Sequence, residues 1–429
     1  MMKQLLERLE SLSANLRILT IRQALSRFFR RMVTPYSSLY ILALGGDVAR
    51  VGFVNSLLPL AGLIIFPISG HLTDSRGRVK LIALAGYLSA LTTMIYLFAP
   101  SWEWIALGAL LQGFIVFEYP PTSAIMADNI DPSIRGTVVA TMNTMASALS
   151  LFSPYMAGVI LETHGDINGM RILYGLLALS QFVNATLAVR CLKETATVQR
   201  SRARLDLIPI LRGSYGGLPE LLRAMPRSVK ALGVLLGLGF IANGIASPFW
   251  VVYVTDVIGL SKIDWGLILF IESILKLVLW VPCGAIADRY GRTRAIFAAV
   301  LISLFSLPSL TLARSLGQVL MIRLGVALAG ALFMPSATAL MADHVPRDKR
   351  GRVMAAIGRG SVVIGATGAG SGGPNMGYLF IVPLMASSIL GGVLYSLNST
   401  YPWICVLVAT LIQLLCVIFF IRDAEKAEV

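Results

Sequence analysis

The chain has 429 residues, 56% of them hydrophobic and 14% charged, and its mean hydropathy is +0.77. Soluble domains carry about 25% charged residues, so a water-soluble globular enzyme is excluded. The net charge of +14 would suit nucleic acid if the basic residues formed one patch. They fall instead in alternate connections between apolar runs, the pattern that positive charge retained on the cytoplasmic side leaves in a membrane protein.

Residues 1–17 form a charged lead-in with Leu5, Leu6, Leu9, Leu12 and Leu16 on one helical side, suited either to the inner membrane surface or to a solvated helix. Apolar runs long enough to cross about 30 Å of hydrocarbon follow at 18–44, 50–70, 79–99, 103–127, 136–161 and 170–191. Segment 192–230 is polar and basic, broken by Pro209, Pro219 and Pro226, and reads as a cytoplasmic linker. A second set of runs occupies 231–256, 262–286, 294–313, 317–342, 376–396 and 401–421, leaving 422–429 as a tail. Lys and Arg concentrate near the termini, in the linker and in alternate loops, so both termini are expected on the cytoplasmic side of the plasma membrane. Cys191, Cys283, Cys405 and Cys416 lie in or at the ends of these runs, with no disulfide or metal spacing. No cofactor or metal is expected.

An internal repeat organises the chain. Gly70, Asp74, Gly77 and Arg78 reappear as Gly284, Asp288, Gly291 and Arg292, each 214 positions on. Met126, Ala127 and Asp128, followed by Arg135, reappear as Met341, Ala342 and Asp343, followed by Arg350, 215 positions on. Gly45 likewise precedes the second run as Gly259 precedes the eighth. The second half is longer by about 18 residues and contains the Gly- and Ser-rich stretch 365–377, which lacks the Lys-Ser/Thr ending of a phosphate-binding loop and reads as a cytoplasmic loop. Gly77 and Gly291 suit tight turns that need positive φ. Asp74 and Asp288 sit at helix C-termini, where an anion is unfavourable unless adjacent arginines or neighbouring helix N-termini pair with it.

With these motifs the chain resembles the major facilitator superfamily over essentially its whole length. The family signature between spans two and three is met by Gly70, Leu72, Asp74, Gly77, Arg78 and Lys80, and its copy by Gly284, Asp288, Arg289, Gly291, Arg292 and Arg294. The resemblance implies an all-α membrane fold of twelve spans in two pseudo-symmetric bundles, working by alternating access. It also implies a cytoplasmic gate latch built from the Asp, Gly and Arg residues of both copies. Two motifs of drug–proton antiporters are only partly present: Ala109 stands where an Arg precedes Gly113, and span five keeps Pro154 and Gly158 but not the full glycine pair.

Ionisable groups at membrane depth are candidate functional sites. Arg22, Arg27, Arg30 and Arg31 lie along the first span. Arg30 and Arg31 fall near its middle, about 20 Å below Gly45 at 1.5 Å per residue, with Tyr36 further up. They face a cavity and attract an anion, or they snorkel to inner headgroups; snorkelling is the expectation for Arg22 and Arg27. Glu118, beside Pro120 and Pro121, suits proton coupling or a fixed pair with a first-span arginine. Glu272 and Lys276 are spaced to pair on one helical face, Arg323 reads as interfacial snorkelling, and Asn143, Asn243 and Trp250 are candidate cavity residues. The expected function is secondary transport of a small anionic or polar solute, with protons as the candidate coupling ion and a monomer as the expected state. Drug efflux is the alternative within the class; a transport-dead membrane sensor or scaffold is the alternative outside it. No nucleophile–base arrangement suggests an enzyme, since His71, His164 and His344 all lie in or beside loops.

Overall fold

A computed structural model describes residues 12–131, 134–195, 220, 223, 225–345, 353–354, 356–358 and 377–423, and the side chains of 61–64, 66–67 and 69–76 fall outside the description. The expectations for residues 1–11, most of the linker, the glycine-rich stretch, Arg350 and the last residues of the tail therefore lie outside the described residues, as do the side chains of Asp74 and its neighbours.

Every apolar run becomes a helical rod, labelled α1 to α12 in chain order. The first, α1, runs as Ala14–Val33, tightens into a 3₁₀ turn at Thr34–Tyr36 and resumes as Ser37–Ala43. Pro35 has no N–H to donate to the preceding turn, which is why the rod breaks there. After it come α2 (Val48–Arg76) and α3 (Arg78–Leu97). The rod α4 is Trp102–Phe114, a 3₁₀ turn at Ile115–Glu118 just ahead of Pro120 and Pro121, and Tyr119–Asp128. Next, α5 begins as Arg135–Leu149 and continues into the stretch Ser153–Cys191, which breaks at Gly165 (φ 75°, ψ 171°); residues 153–164 complete α5 and 166–191 form α6.

In the second half, α7 is Arg227–Ala246, a 3₁₀ turn at Ser247–Phe249 around Pro248, then Trp250–Val252 and a π-turn at Tyr253–Val257. The remaining rods are α8 (Lys262–Tyr290), α9 (Arg292–Ser306, extended by Pro308–Leu312), α10 (Leu316–His344), α11 (Tyr378–Phe380 and Ile381–Leu397) and α12 (Tyr401–Phe420). The proline breaks in α1 and α7 are 213 residues apart, whereas Gly45 and Gly259, both at positive φ, are 214 apart. The π-turn between Pro248 and Gly259 absorbs the extra residue, since such a turn holds one residue more than an α-turn.

Among the described residues, eight continuous helices are long and apolar enough to cross a membrane, one of them containing both α5 and α6. That fits the twelve expected crossings. Large apolar side chains stand outward on the rods, such as Val281 at 78% and Leu312 at 76% exposure, an arrangement stable only with lipid around it.

The rods pack as two sets. In α1–α6, α3 and α1 lie on α6 while α2 lies on α4; in α7–α12, α10 packs on α8 and α9 while α12 packs on α7. Between the sets, α2 runs along α11 and α5 along α8. These crossings are closest at the end carrying Gly45 and Gly259. A Cβ on Gly52 would lie 2.4 Å from the Ser388 carbonyl oxygen, one on Gly392 2.9 Å from that of Ala49, one on Gly158 2.4 Å from that of Lys262, and one on Gly266 2.6 Å from that of Pro154. At the opposite end of the same α5 and α8, Gly136 and Gly284 meet nothing within 4 Å. Among the described residues, the two sets are thus sealed at one end and parted at the other, where the Arg78 and Arg292 loops lie. We call these the sealed end and the basic end.

Candidate functional site

Guanidinium groups on α1 need acceptors at a depth where water is scarce, and the bundle supplies them. Arg22 is 5% exposed; its Nε donates to the Asn184 carbonyl oxygen at 2.9 Å and its Nη2 to Glu118 Oε1 at 3.0 Å. Arg27 donates to Ser147 Oγ at 2.8 Å and to Asn143 Oδ1 at 2.6 Å, and Gln23 adds a bond to the same Asn143 oxygen at 3.1 Å. The snorkelling expected for Arg22 and Arg27 is therefore corrected: their head groups point across the bundle to α4, α5 and α6 because fixed acceptors wait there. Glu118 is the fixed ion-pair partner of a first-span arginine, and Asn143 is held by Arg27. Arg30 is exposed and Arg31 half-buried, and among the described residues neither side chain has an ion-pair partner within bonding distance.

Facing them from the second set is a buried triad. Glu272, with a side chain 4% exposed, receives Lys276 on Oε1 and Arg323 on Oε2, the latter through Nε at 2.8 Å and Nη2 at 2.6 Å. Arg323 is 1% exposed and lies 4.5 Å over the Trp250 ring and 5.8 Å from that of Trp265. This overturns the interfacial snorkelling expected of Arg323. Its charge is neutralised by Glu272 and its face is covered by aromatic rings that attract cations. Trp250, expected as a cavity residue, is fully buried in a ring cluster with Trp403 at 4.8 Å. Asn243 is likewise buried, at 3% exposure.

Tyr36, a candidate solute contact by sequence, belongs to the seal. It is fully buried, and its hydroxyl lies 2.9 Å from the Pro154 carbonyl oxygen and 3.0 Å from that of Lys262, so it bridges α5 and α8. Ser38 Oγ donates to the Pro248 carbonyl oxygen at 2.6 Å, and Lys262 Nζ pairs with Asp166 at 2.8 Å. The 3₁₀ turns at Pro35 and Pro248 present these groups to the other set.

At the basic end the two repeat copies make matching contacts. Arg78 pairs with Asp128 at the end of α4, and Arg292 with Asp343 at the end of α10. Gly77 (φ 82°) and Gly291 (φ 101°) make the turns that set these arginines. Asp288 departs from expectation: it is exposed and forms no ion pair among the described residues, because Arg292 is taken by Asp343 and Arg289 lies over the Tyr290 ring at 5.5 Å. Arg135 donates to the Ala127 carbonyl oxygen at 3.2 Å. Gly70 and Asp74 lie in the last turns of α2.

Sequence reasoning missed a further pair. Glu194 Oε2 accepts the Val79 N–H at 3.0 Å and Asp423 Oδ1 accepts the Thr293 N–H at 2.9 Å, so each acid caps the helix that follows a Gly turn. Each stands three residues beyond the end of α6 or α12, a spacing visible in the sequence. Glu194→Ala or Asp423→Ala is expected to cost about 1 kcal/mol, the usual loss of a cap, seen as a lower thermal unfolding midpoint in detergent; an unchanged midpoint for both would refute the capping role.

The sequence matches the Major Facilitator Superfamily profile over residues 19–237 and again over 232–429. The chain belongs to this superfamily. Among curated relatives, it is 24% identical over 386 residues to the multidrug resistance protein MdtG of Salmonella typhi, covering 86% of this chain and 91% of the relative. It is 24% identical over 334 residues to a multi-drug resistance efflux pump PmrA homolog of Lactococcus lactis subsp. lactis (strain IL1403), covering 76% and 78%. Among solved structures, a bacterial homolog of the human lysosomal transporter Spinster, in an inward-facing and unoccupied conformation, superposes with a TM-score of 0.68 at 14% identity, covering 96% of this chain and 98% of that one. This member of the Major Facilitator Superfamily is thus a multi-pass membrane protein of the transporter fold, with buried ion pairs inside the bundles and a matching Arg–Asp pair in each repeat.

Proposed function

We propose that the protein is a secondary transporter in which bundles 18–191 and 231–421, joined by the linker 192–230, rock about a midplane site in the plasma membrane. The basic end is taken as cytoplasmic because Lys and Arg concentrate there, so the conformation described opens inward. The cytoplasmic gate is placed at the Gly77 and Gly291 loops, where Arg78–Asp128 and Arg292–Asp343 each brace their own bundle while this end is open, with Arg135 and Arg289 beside them. The solute is an anionic or polar metabolite. The observation that carries this choice is the excess of cations at mid-depth: Glu118 and Glu272 are both engaged, while among the described residues Arg30 and Arg31 have no carboxylate of their own within bonding distance. Guanidinium groups suit carboxylate and phosphate. Protons are the proposed coupling ion, with Glu118 and Glu272 the carboxylates at depth, and a monomer suffices for the mechanism.

Flux into proteoliposomes under a pH gradient, measured for organic anions and for lipophilic cations, tests the proposal. Uptake of anions that falls at least tenfold in both Arg78→Ala and Arg292→Ala is the expected result. Flux of cations alone, indifferent to Arg30→Ala and Arg31→Ala, would favour the second reading, drug efflux, which the names of the MdtG and PmrA-type relatives support. Binding without flux of any compound would favour a sensor.

A further inference from the structure

We propose that Arg31 of the first bundle and Lys276 of the second grip one anionic group of the solute between them, and that Glu272 is the internal anion from which Lys276 is taken. The inference rests on the anionic-solute proposal and adds the residues, and the exchange, that would tie the two bundles together.

Depth comes first. The Tyr36 hydroxyl is 3.0 Å from the Lys262 carbonyl oxygen and abuts Gly266, which places Tyr36 and Gly266 at one level. At 1.5 Å per residue, Arg31 lies about 8 Å towards the basic end from that level, Glu272 about 9 Å and Lys276 about 15 Å. The rods run in opposite directions, α1 towards the sealed end and α8 away from it. Helical side chains lean towards their own N-terminus, so Arg31 leans down and Lys276 leans up, which closes most of the difference. Arg31 lies in the electrostatic field of both Glu272 and Lys276.

The triad is built unequally. Arg323 holds Glu272 by two bonds and is 1% exposed, whereas the Lys276 side chain is 24% exposed. Lys276 can therefore leave without stranding a buried carboxylate, because Arg323 still neutralises it. A carboxylate or phosphate entering from the parted end meets Arg30 first, exposed at the same level, and then lies between Arg31 and Lys276. An anion bound so spans both bundles, and its charge pulls together the ends that now stand apart.

The test measures Kd on purified protein in detergent for a panel of carboxylates, phosphate monoesters and sulfonates, with neutral amides and quaternary amines of matching size as controls. At least one anion is expected to bind, with Kd raised at least tenfold by Arg31→Gln and by Lys276→Gln, restored towards wild type by Lys276→Arg, and lowered at least threefold by Glu272→Gln. If Glu272→Gln does not fold, Glu272→Gln with Arg323→Met removes the buried cation together with its partner and is expected to tighten binding likewise. If an anion binds and Arg31→Gln weakens it while Lys276→Gln does not, the anionic-solute proposal stands and the bridge is overturned. Weaker binding on loss of Glu272 overturns the exchange. Binding of amides or amines alone, or of no anion, overturns the bridge and the anionic-solute proposal together.

Discussion

Alanine at Gly266 should part α5 from α8 at the sealed end. The added methyl would sit 2.6 Å from the Pro154 carbonyl oxygen and 2.8 Å from the Tyr36 hydroxyl, and the carbonyl is backbone that cannot rotate aside. Gly52→Ala strikes the matching crossing, 2.4 Å from the Ser388 carbonyl oxygen. Overpacking of a tight contact costs about 1–3 kcal/mol, so the sealed conformation should lose about 5- to 150-fold in population relative to one open at this end. A cysteine placed at Ser388, which is 4% exposed, reports the change in a background with the exposed Cys191 made serine. In Gly266→Ala it should react with an impermeant maleimide at least about fivefold faster than in the parent. Gly317→Ala, where the methyl meets open space, should leave the rate unchanged. Equal rates in Gly266→Ala and Gly317→Ala would show that the glycine crossings do not hold the seal.

Arg323→Met should be the most destabilising single change in the second bundle. It leaves Glu272, 3% exposed, with Lys276 alone, and it uncovers the faces of Trp250 and Trp265. Breaking a buried pair by removing one partner costs about 3–5 kcal/mol, whereas replacing both partners is often near neutral. The single variant should therefore unfold at a markedly lower temperature in detergent, and Glu272→Gln with Arg323→Met should regain most of the loss. Equal midpoints for the parent and Arg323→Met would show that the triad is not a stabilising element.

The rods were legible because period, length and turn glycines all lie within a few residues of one another. The expected start of the eighth run at Lys262 is where α8 begins, and Gly77 and Gly291 make the turns their sequence context calls for. The repeat register also brought out Asp128 with Asp343 and Arg78 with Arg292, though not that these pair with each other in place of Asp288. Local spacing found Lys276 with Glu272 but missed Arg323, whose carboxylate lies 51 residues earlier on a different rod. Snorkelling is the physically sensible expectation for an arginine one or two turns inside a rod, until the fold shows an acceptor at the same depth. Gly158 stood out in sequence, but Gly52 and Gly266, themselves 214 apart, did not. A small residue matters only when another backbone arrives against it, and that is a property of two rods.

The π-turn at Tyr253–Val257 keeps the two copies in phase. One extra residue in an α-helix rotates everything beyond it by about 100°. In α7 that rotation would swing the Trp250 cluster and the Gly259 turn onto different sides of the rod. Packing the surplus into a single wide turn confines the slip, so Pro248 and Gly259 both stay where Pro35 and Gly45 set the pattern. Deleting Thr255 should accordingly be tolerated, restoring an ordinary helix and a uniform spacing to both landmarks, while deleting Ile41 from the undistorted α1 should turn its seal-forming face away and abolish the folded state.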